Sequence, residues 1–172
     1  MSHNKSRSPG KAIRLESLEP RQFLSSTVGA PSPLAFWCRR QAHETGIHRA
    51  DAQSPSGEIT AFEPRFAEDG IDELLFGFFG RPASDGEVQA PPATLCVRTT
   101  DGDASWYVRI DAGGARTERR EADADCSVAG TASDIHLLLW NRLSPDGLDV
   151  RGDDQVLRRW RQHAQIHWSR SR

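Results

Sequence analysis

The chain reads as an α+β protein in which an antiparallel sheet is flanked by helices and preceded by one isolated helix. Three observations predict it. Short segments rich in β-formers follow one another between residues 93 and 129, joined by tight-turn pairs; amphipathic helical stripes lie on both sides of that run; and an uninterrupted helix-forming stretch stands ahead of it. With 172 residues, the chain has room for one ordinary domain plus appendages.

Taken in order, residues 1–33 are rich in Ser, Pro, Gly and charge and read as a disordered or leader-like segment. One patterned island, residues 14–25, could form a turn or two of helix. Residues 34–53 are good helix formers apart from Gly46, and Ser54-Pro-Ser-Gly57 supplies the stop. Residues 54–67 form a linker, with a loop expected over 58–67. Ile71, Leu74, Leu75, Phe78 and Phe79 then recur at helical spacing and define an amphipathic helix ending near Gly80.

A Pro-, Gly- and Ala-rich linker, residues 81–92, leads into strands expected at 93–99, 105–110, 116–121 and 126–129. Asp101-Gly102 and Gly113-Gly114 mark hairpin turns, so consecutive strands predict an antiparallel meander. Thr131 or Ser133 caps a helix through Asn141 or Arg142 that buries Ile135, Leu138 and Leu139. Residues 148–150 form a short strand. Asp153 opens a last helix with Val156, Leu157, Trp160 and Ala164 on one face. Residues 68–168 therefore form one α+β unit, with 169–172 a tail.

Lys and Arg total 22 against 24 Asp and Glu, a balance that gives no general attraction to nucleic acid or anionic membranes. Basic clusters near the two ends lack interleaved stacking platforms and read as solvated ends. Cys38, Cys96 and Cys126 fit neither a disulfide framework nor a clustered zinc site, which points to a reducing cytoplasm. No apolar run reaches the length of a membrane span, so a soluble protein is expected, with neither nucleic acid nor membrane as partner.

Chemistry concentrates in residues 39–51. Glu44 and His48 are four apart in a helix, so a carboxylate oxygen and an imidazole nitrogen leave one face a turn apart and can meet one ion. The same spacing is common on solvated helix faces, and catalytic zinc needs three protein ligands. His43 points away from Glu44 by about 100°, and His3 lies in the irregular leader. His136, His163 and His167 lack ligand spacing and read as surface or structural residues. Trp106, Tyr107, Trp140 and Trp160 can be core or can line an apolar cavity, and large aromatics are more often core.

The string from Phe36 through Trp37-Cys38 and His43-Glu44-Thr-Gly-Ile-His48 to Ala52 resembles the last helix of the DinB-like metal-binding bundle in mycothiol-dependent maleylpyruvate isomerases, a bacterial family. Residues 130–143, with Leu138-Leu-Trp-Asn-Arg-Leu143, then Leu148-Asp-Val-Arg-Gly-Asp153 and Leu157-Arg-Arg-Trp160, resemble the C-terminal domain of the same family. The resemblance runs from about Phe36 to about Trp168. Residues 14–25 resemble the LEPR-XLL motif of some bacterial N-termini.

The resemblance implies a sterol carrier protein-like α+β domain. It implies Glu44 and His48 as ligands of a divalent metal, zinc by expectation, with a further His from an earlier bundle helix. Only 33 irregular residues precede the match, so the metal site is expected to be incomplete. Mycothiol is implied as cosubstrate, and Arg142 as the catalytic arginine that holds a small acidic substrate, a task for which guanidinium is suited. As a residue at a helix C-terminus, Arg142 also has an ordinary role against the helix dipole.

The expected function is that of a truncated or divergent family member, built on a metal- and thiol-dependent isomerase or transferase scaffold and inactive as this chain alone. The competing expectation is a non-catalytic small-molecule-binding or protein-interaction module. With its bundle partners missing, the 34–53 helix is expected to be poorly anchored, leaving Phe36, Trp37 and Ile47 to dock, fray or form a homodimer.

Overall fold

The computed structural model describes residues 13–14, 32–78, 91–111, 114–163 and 166–167. At its margin Ile13–Arg14 (β1) pairs in parallel with Ile166–His167 (β7). The leader island beyond residue 14, the 81–90 linker and the tail lie outside the described residues.

Ser32 starts helix α1 (Pro33–Gln53): its hydroxyl accepts the Ala35 N–H at 3.1 Å, and Pro33 occupies the first turn, where no N–H is required. A 3-10 turn, Ser54–Ser56, follows, and Gly57 at φ 79° ends it in the left-handed conformation. The buried residues of α1 are Phe36, Arg40, His43, Ile47 and Ala50. They recur every three or four residues and form one inward stripe.

This corrects the expectation of an isolated helix. Phe36, Ile47 and Ala50 belong to the same core cluster as the sheet residues Leu95, Val97 and Val128, so α1 is docked on the α+β unit. Of the outcomes expected for Phe36, Trp37 and Ile47, docking is the one observed: Phe36 and Ile47 are buried, and Trp37 is half-exposed with its ring edge-on to that of Phe36.

Helix α2 (Pro64–Asp72) begins earlier than its apolar pattern indicates. The Glu63 carboxylate accepts the Phe66 N–H at 2.9 Å and caps the helix, so residues 64–67, expected as loop, form its first turn. Glu is a less common cap than Ser, Thr, Asp or Asn, and for that reason the start is hard to read. The helix runs on as a π-helical turn, Glu73–Phe78, that buries Leu74, Leu75 and Phe78 as the stripe predicts.

Five strands form the main sheet: β2 (Ala93–Thr99), β3 (Ser105–Asp111), β4 (Gly114–Glu118), β5 (Cys126–Gly130) and β6 (Asp149–Gly152). Their order is β4-β3-β2-β5-β6. The meander holds through β4, with Val97 opposite Trp106 and Ile110 opposite Ala115.

There the expected all-antiparallel arrangement ends. The chain crosses back over β3 and β2, and β5 pairs in parallel with β2, Leu95 opposite Cys126 and Val97 opposite Val128. Residues 119–121, expected as strand, belong to this crossing. Asp125 fastens its far end, the carboxylate accepting both the N–H and the hydroxyl of Thr94 at 2.8 and 2.7 Å. Burial explains the placement: Cys126 and Val128 are fully buried, which suits a strand flanked on both sides rather than an edge.

Helix α3 (Ala132–Leu139) is capped by Thr131, whose hydroxyl accepts the Asp134 N–H, and by Asp101, which accepts the Ala132 N–H at 2.7 Å. It closes in a Schellman arrangement: Arg142 N–H donates to Leu137 O and Asn141 N–H to Leu138 O, with Asn141 at φ 57°. Asn tolerates that left-handed position better than most residues. Helix α4 (Asp154–His163) buries Val156, Leu157 and Trp160, while Ala164 lies outside the described residues.

Helices α3 and α4 pack on β2 and β5, and Leu95, Val97, Trp106, Val108 and Val128 point toward them. Alternation along the strands then turns Cys96, Arg98, Tyr107 and Ser127 to the other face. Trp106, Trp140 and Trp160 are core residues, and Tyr107 lies under the Arg120 guanidinium at 4.2 Å on that other face. No helix among the described residues is long and apolar enough to cross a membrane.

Candidate functional site

The three residues singled out from sequence lie along α1 and at the end of α3. Glu44 does not present a free carboxylate: Arg40 Nη2 lies 2.8 Å from Oε1, and Gln41 Nε2 donates to Oε2 at 3.1 Å. His48, one turn on, is mostly exposed, and its Nδ1 stands 3.9 Å from Asp51 Oδ2. Arg142 reaches the same aspartate from α3, its Nε donating to Oδ1 at 2.7 Å and Nη2 to Oδ2 at 3.0 Å, while Nη1 donates to Trp140 O at 2.9 Å.

Asp51 therefore gathers His48 and Arg142, and Glu44 faces Arg40 instead. The Arg142 hydrogen bonds hold the Asp51 carboxyl below the usual carboxylate range despite partial burial, with the Arg142 and His48 charges acting in the same direction. Among the described residues, no group of three or more His, Cys, Asp or Glu side chains is arranged to hold a metal ion.

A second polar cluster lies inside the seam between α1, α2 and α3, on residues that periodicity for apolar side chains passes over. Arg40 is 3% exposed and pairs with Glu73 (Nη1 to Oε2 at 3.1 Å), itself 2% exposed, at the start of the π-helical turn. The Arg40 guanidinium also lies over the rings of Phe78 and Trp140 at 4.7 and 5.4 Å. One helical turn along, His43 Nε2 meets Asp69 Oδ2 at 2.7 Å, and Arg39 Nε donates to the same oxygen at 2.8 Å. Burial works to raise the Asp69 carboxyl, but the hydrogen bonds from His43 and Arg39 outweigh it and leave Asp69 below its ordinary range.

His136, from α3, completes the cluster with its ring centroid 5.8 Å from that of His43. Its Nε2 accepts the Trp140 indole N–H at 3.0 Å, which assigns the proton to Nδ1. Burial pushes its pKa down to about 3, the His43 charge adding to the effect and Asp69 opposing it. Gly70 permits this closeness: a Cβ there would stand 2.5 Å from His136 Nε2 and 2.9 Å from His43 Nδ1.

His43–Asp69 pairs an imidazole with a carboxylate, and the His43 ring, 1% exposed, faces the neighbouring helices and not solvent. Its geometry fastens helices. A sequence signal for the cluster does exist: positions 36, 40, 43, 47 and 50 follow the spacing of a buried helix stripe, with Arg and His at two of them.

The fold and the seam together define a helix-covered α+β domain whose polar interior ties its first helix to the rest. The model of the MDMPI C-terminal domain, from the maleylpyruvate isomerase family, matches residues 65–159, more than half of the chain. The chain belongs to that family. No curated protein matches it. Among solved structures, the stereoselective inverting sec-alkylsulfatase from Pseudomonas sp. is similar at 16% identity and TM-score 0.47, over 58% of this chain and 16% of the sulfatase. Sterol carrier protein 2 like 2 from Aedes aegypti is similar at 16% identity and TM-score 0.41, over 57% of this chain and 96% of that protein. The chain thus spans less than a fifth of the sulfatase's length.

Proposed function

We propose that this chain is a divergent, non-catalytic member of the maleylpyruvate isomerase family, in which α1 acts as a structural helix of the α+β domain and the domain serves as a binding module. The observation that carries the reading is the Arg40 guanidinium on Glu44 at 2.8 Å. A doubly charged ion at that carboxylate would be repelled by the arginine, and displacing Arg40 would disturb its buried pair with Glu73.

The donor set does not fit a resident zinc ion. Glu44 and His48 supply two ligands where a catalytic zinc site takes three from the protein, and two ligands on one helix leave an ion mostly hydrated. Arg142, expected as the holder of an acidic substrate, spends both arms of its fork on Asp51. The engagement of Glu44 and Arg142 in internal ion pairs favours a scaffold over a thiol-dependent isomerase.

Zinc titration of the full chain and of His48→Ala, with a parallel isomerase assay using mycothiol and maleylpyruvate, tests this. Binding weaker than micromolar, little changed in His48→Ala and without turnover, is the expected result. Submicromolar binding by the monomer that disappears in His48→Ala, together with turnover, would overturn it.

A further inference from the structure

On the face of the sheet turned away from the helices, the crossing segment and strands β2, β5 and β6 enclose a groove of about 520 Å³. This volume lies within the range of small-molecule sites. The strand register builds its floor. Arg98, Ala129 and Asp149 form one row across three strands, and Cys96, Ser127 and Arg151 the next. Cys96, Ser127 and Ala129 are small, so the middle of the face is a depression between longer charged side chains. Glu121 and Asp123, from the crossing segment, form the facing wall.

Some of these charges are already used. Asp149 and Arg151 satisfy each other through two hydrogen bonds, at 3.0 and 2.7 Å. Arg98 is different: its nearest ion-pair partner is Glu121 at 4.0 Å, too far for a hydrogen bond. Among the described residues neither the Asp123 carboxylate nor the Ser127 hydroxyl has a hydrogen-bond partner. The open groups are thus a guanidinium and a hydroxyl on the floor side and two carboxylates on the wall.

We propose that this groove binds an amino-acid-type zwitterion of di- or tripeptide size, its carboxylate held by Arg98 and Ser127 and its ammonium by Asp123 and Glu121. A simple anion would be repelled by Glu121 and Asp123, and a simple cation by Arg98. Only a molecule carrying both signs matches the groove. The groups are solvent-exposed, so affinity is in the millimolar range. The groove would give the binding-module reading its site; it shares no residue with the Glu44–Arg142 region, so its failure leaves the non-catalytic part of that reading standing.

The test is amide chemical-shift mapping on the full chain with three probes: alanyl-alanine, N-acetyl-alanyl-alanine and alanyl-alanine amide. The expected result is saturable shifts confined to residues 96–98, 121–129 and 149–151 for the free dipeptide, with both capped forms much weaker. Arg98→Gln and Asp123→Asn, both exposed positions whose variants should keep dispersed spectra, should each weaken binding roughly tenfold by losing one charge-assisted contact. Equal shifts from all three probes, no shifts at millimolar concentration, or variants that bind like the wild type would overturn the proposal.

Discussion

Arg142 closes on Asp51 as a two-pronged fork, Nε to Oδ1 at 2.7 Å and Nη2 to Oδ2 at 3.0 Å, and so fastens the end of α3 to the end of α1 across 91 positions of sequence. The residue that family resemblance marks as a substrate holder is thereby a tie between two helices. Both side chains are part-exposed, which limits the tie to roughly 1 kcal/mol. Arg142→Ala and Asp51→Ala should each lower unfolding stability by about that amount, and the double variant should cost little more than either single one. Fully additive losses in urea unfolding would mean that the two side chains are not coupled.

Arg40 and Glu73 make a different kind of pair, because both are almost wholly buried. Removing one partner strands the other charge in the core, which costs about 3–5 kcal/mol, whereas replacing both with apolar residues of similar volume is often close to neutral. Arg40→Met should therefore be strongly destabilising, and Arg40→Met with Glu73→Leu should recover much of the loss. If the double variant is less stable than Arg40→Met alone, the pair contributes more than mutual compensation.

Which parts of this architecture can be read from sequence follows from how local their causes are. The strands β2, β3 and β5 are legible as short runs of β-formers bounded by turns, and helix α4 because apolar residues recur at helical spacing, as at Val156, Leu157 and Trp160. The strand order is not, since a parallel β2–β5 pair is decided by where a crossing segment lands and not by the pattern inside either strand. Nor is the docking of α1, whose inward stripe carries Arg40 and His43 and so looks solvated until Glu73 and Asp69 arrive from α2 and its π-helical extension. Glu44, His48 and Arg142 stand out as a motif, yet only the fold shows that Arg40 and Asp51 occupy two of them.

Gly70 separates helix propensity from packing. Replacing a mid-helix glycine with alanine ordinarily stabilises by about 0.5–1 kcal/mol. Here the new methyl would lie 2.5 Å from His136 Nε2 and 2.8 Å from its Cε1, against rings buried in the seam, so something there must shift. Overpacking of that kind costs roughly 1–3 kcal/mol, so the net effect of Gly70→Ala should be destabilising. A higher melting temperature for Gly70→Ala would show that the α1–α2–α3 seam is looser than this contact implies.

His136 should make the protein acid-sensitive well above the range of carboxylate titration. In the folded chain its pKa is about 3, against an ordinary 6.5, because burial disfavours the charged ring. The groups around it are His43, Asp69, Phe62, Phe66 and Trp140, and of these only Asp69 favours its protonation. Above pH 6.5 both folded and unfolded chains carry a neutral ring and the residue contributes no pH dependence. As pH falls below 6.5 the unfolded chain takes up a proton that the folded chain refuses, so stability drops by about 1.4 kcal/mol per pH unit until the folded ring begins to titrate. His136→Gln removes the titration while leaving an oxygen that can accept the Trp140 indole N–H. Urea unfolding at pH 7 and pH 5 should then show the wild type losing about 2 kcal/mol more than His136→Gln over that interval. Parallel losses in the two proteins would mean that the ring is protonated in the folded state, and that the seam admits water or a counter-charge beside it.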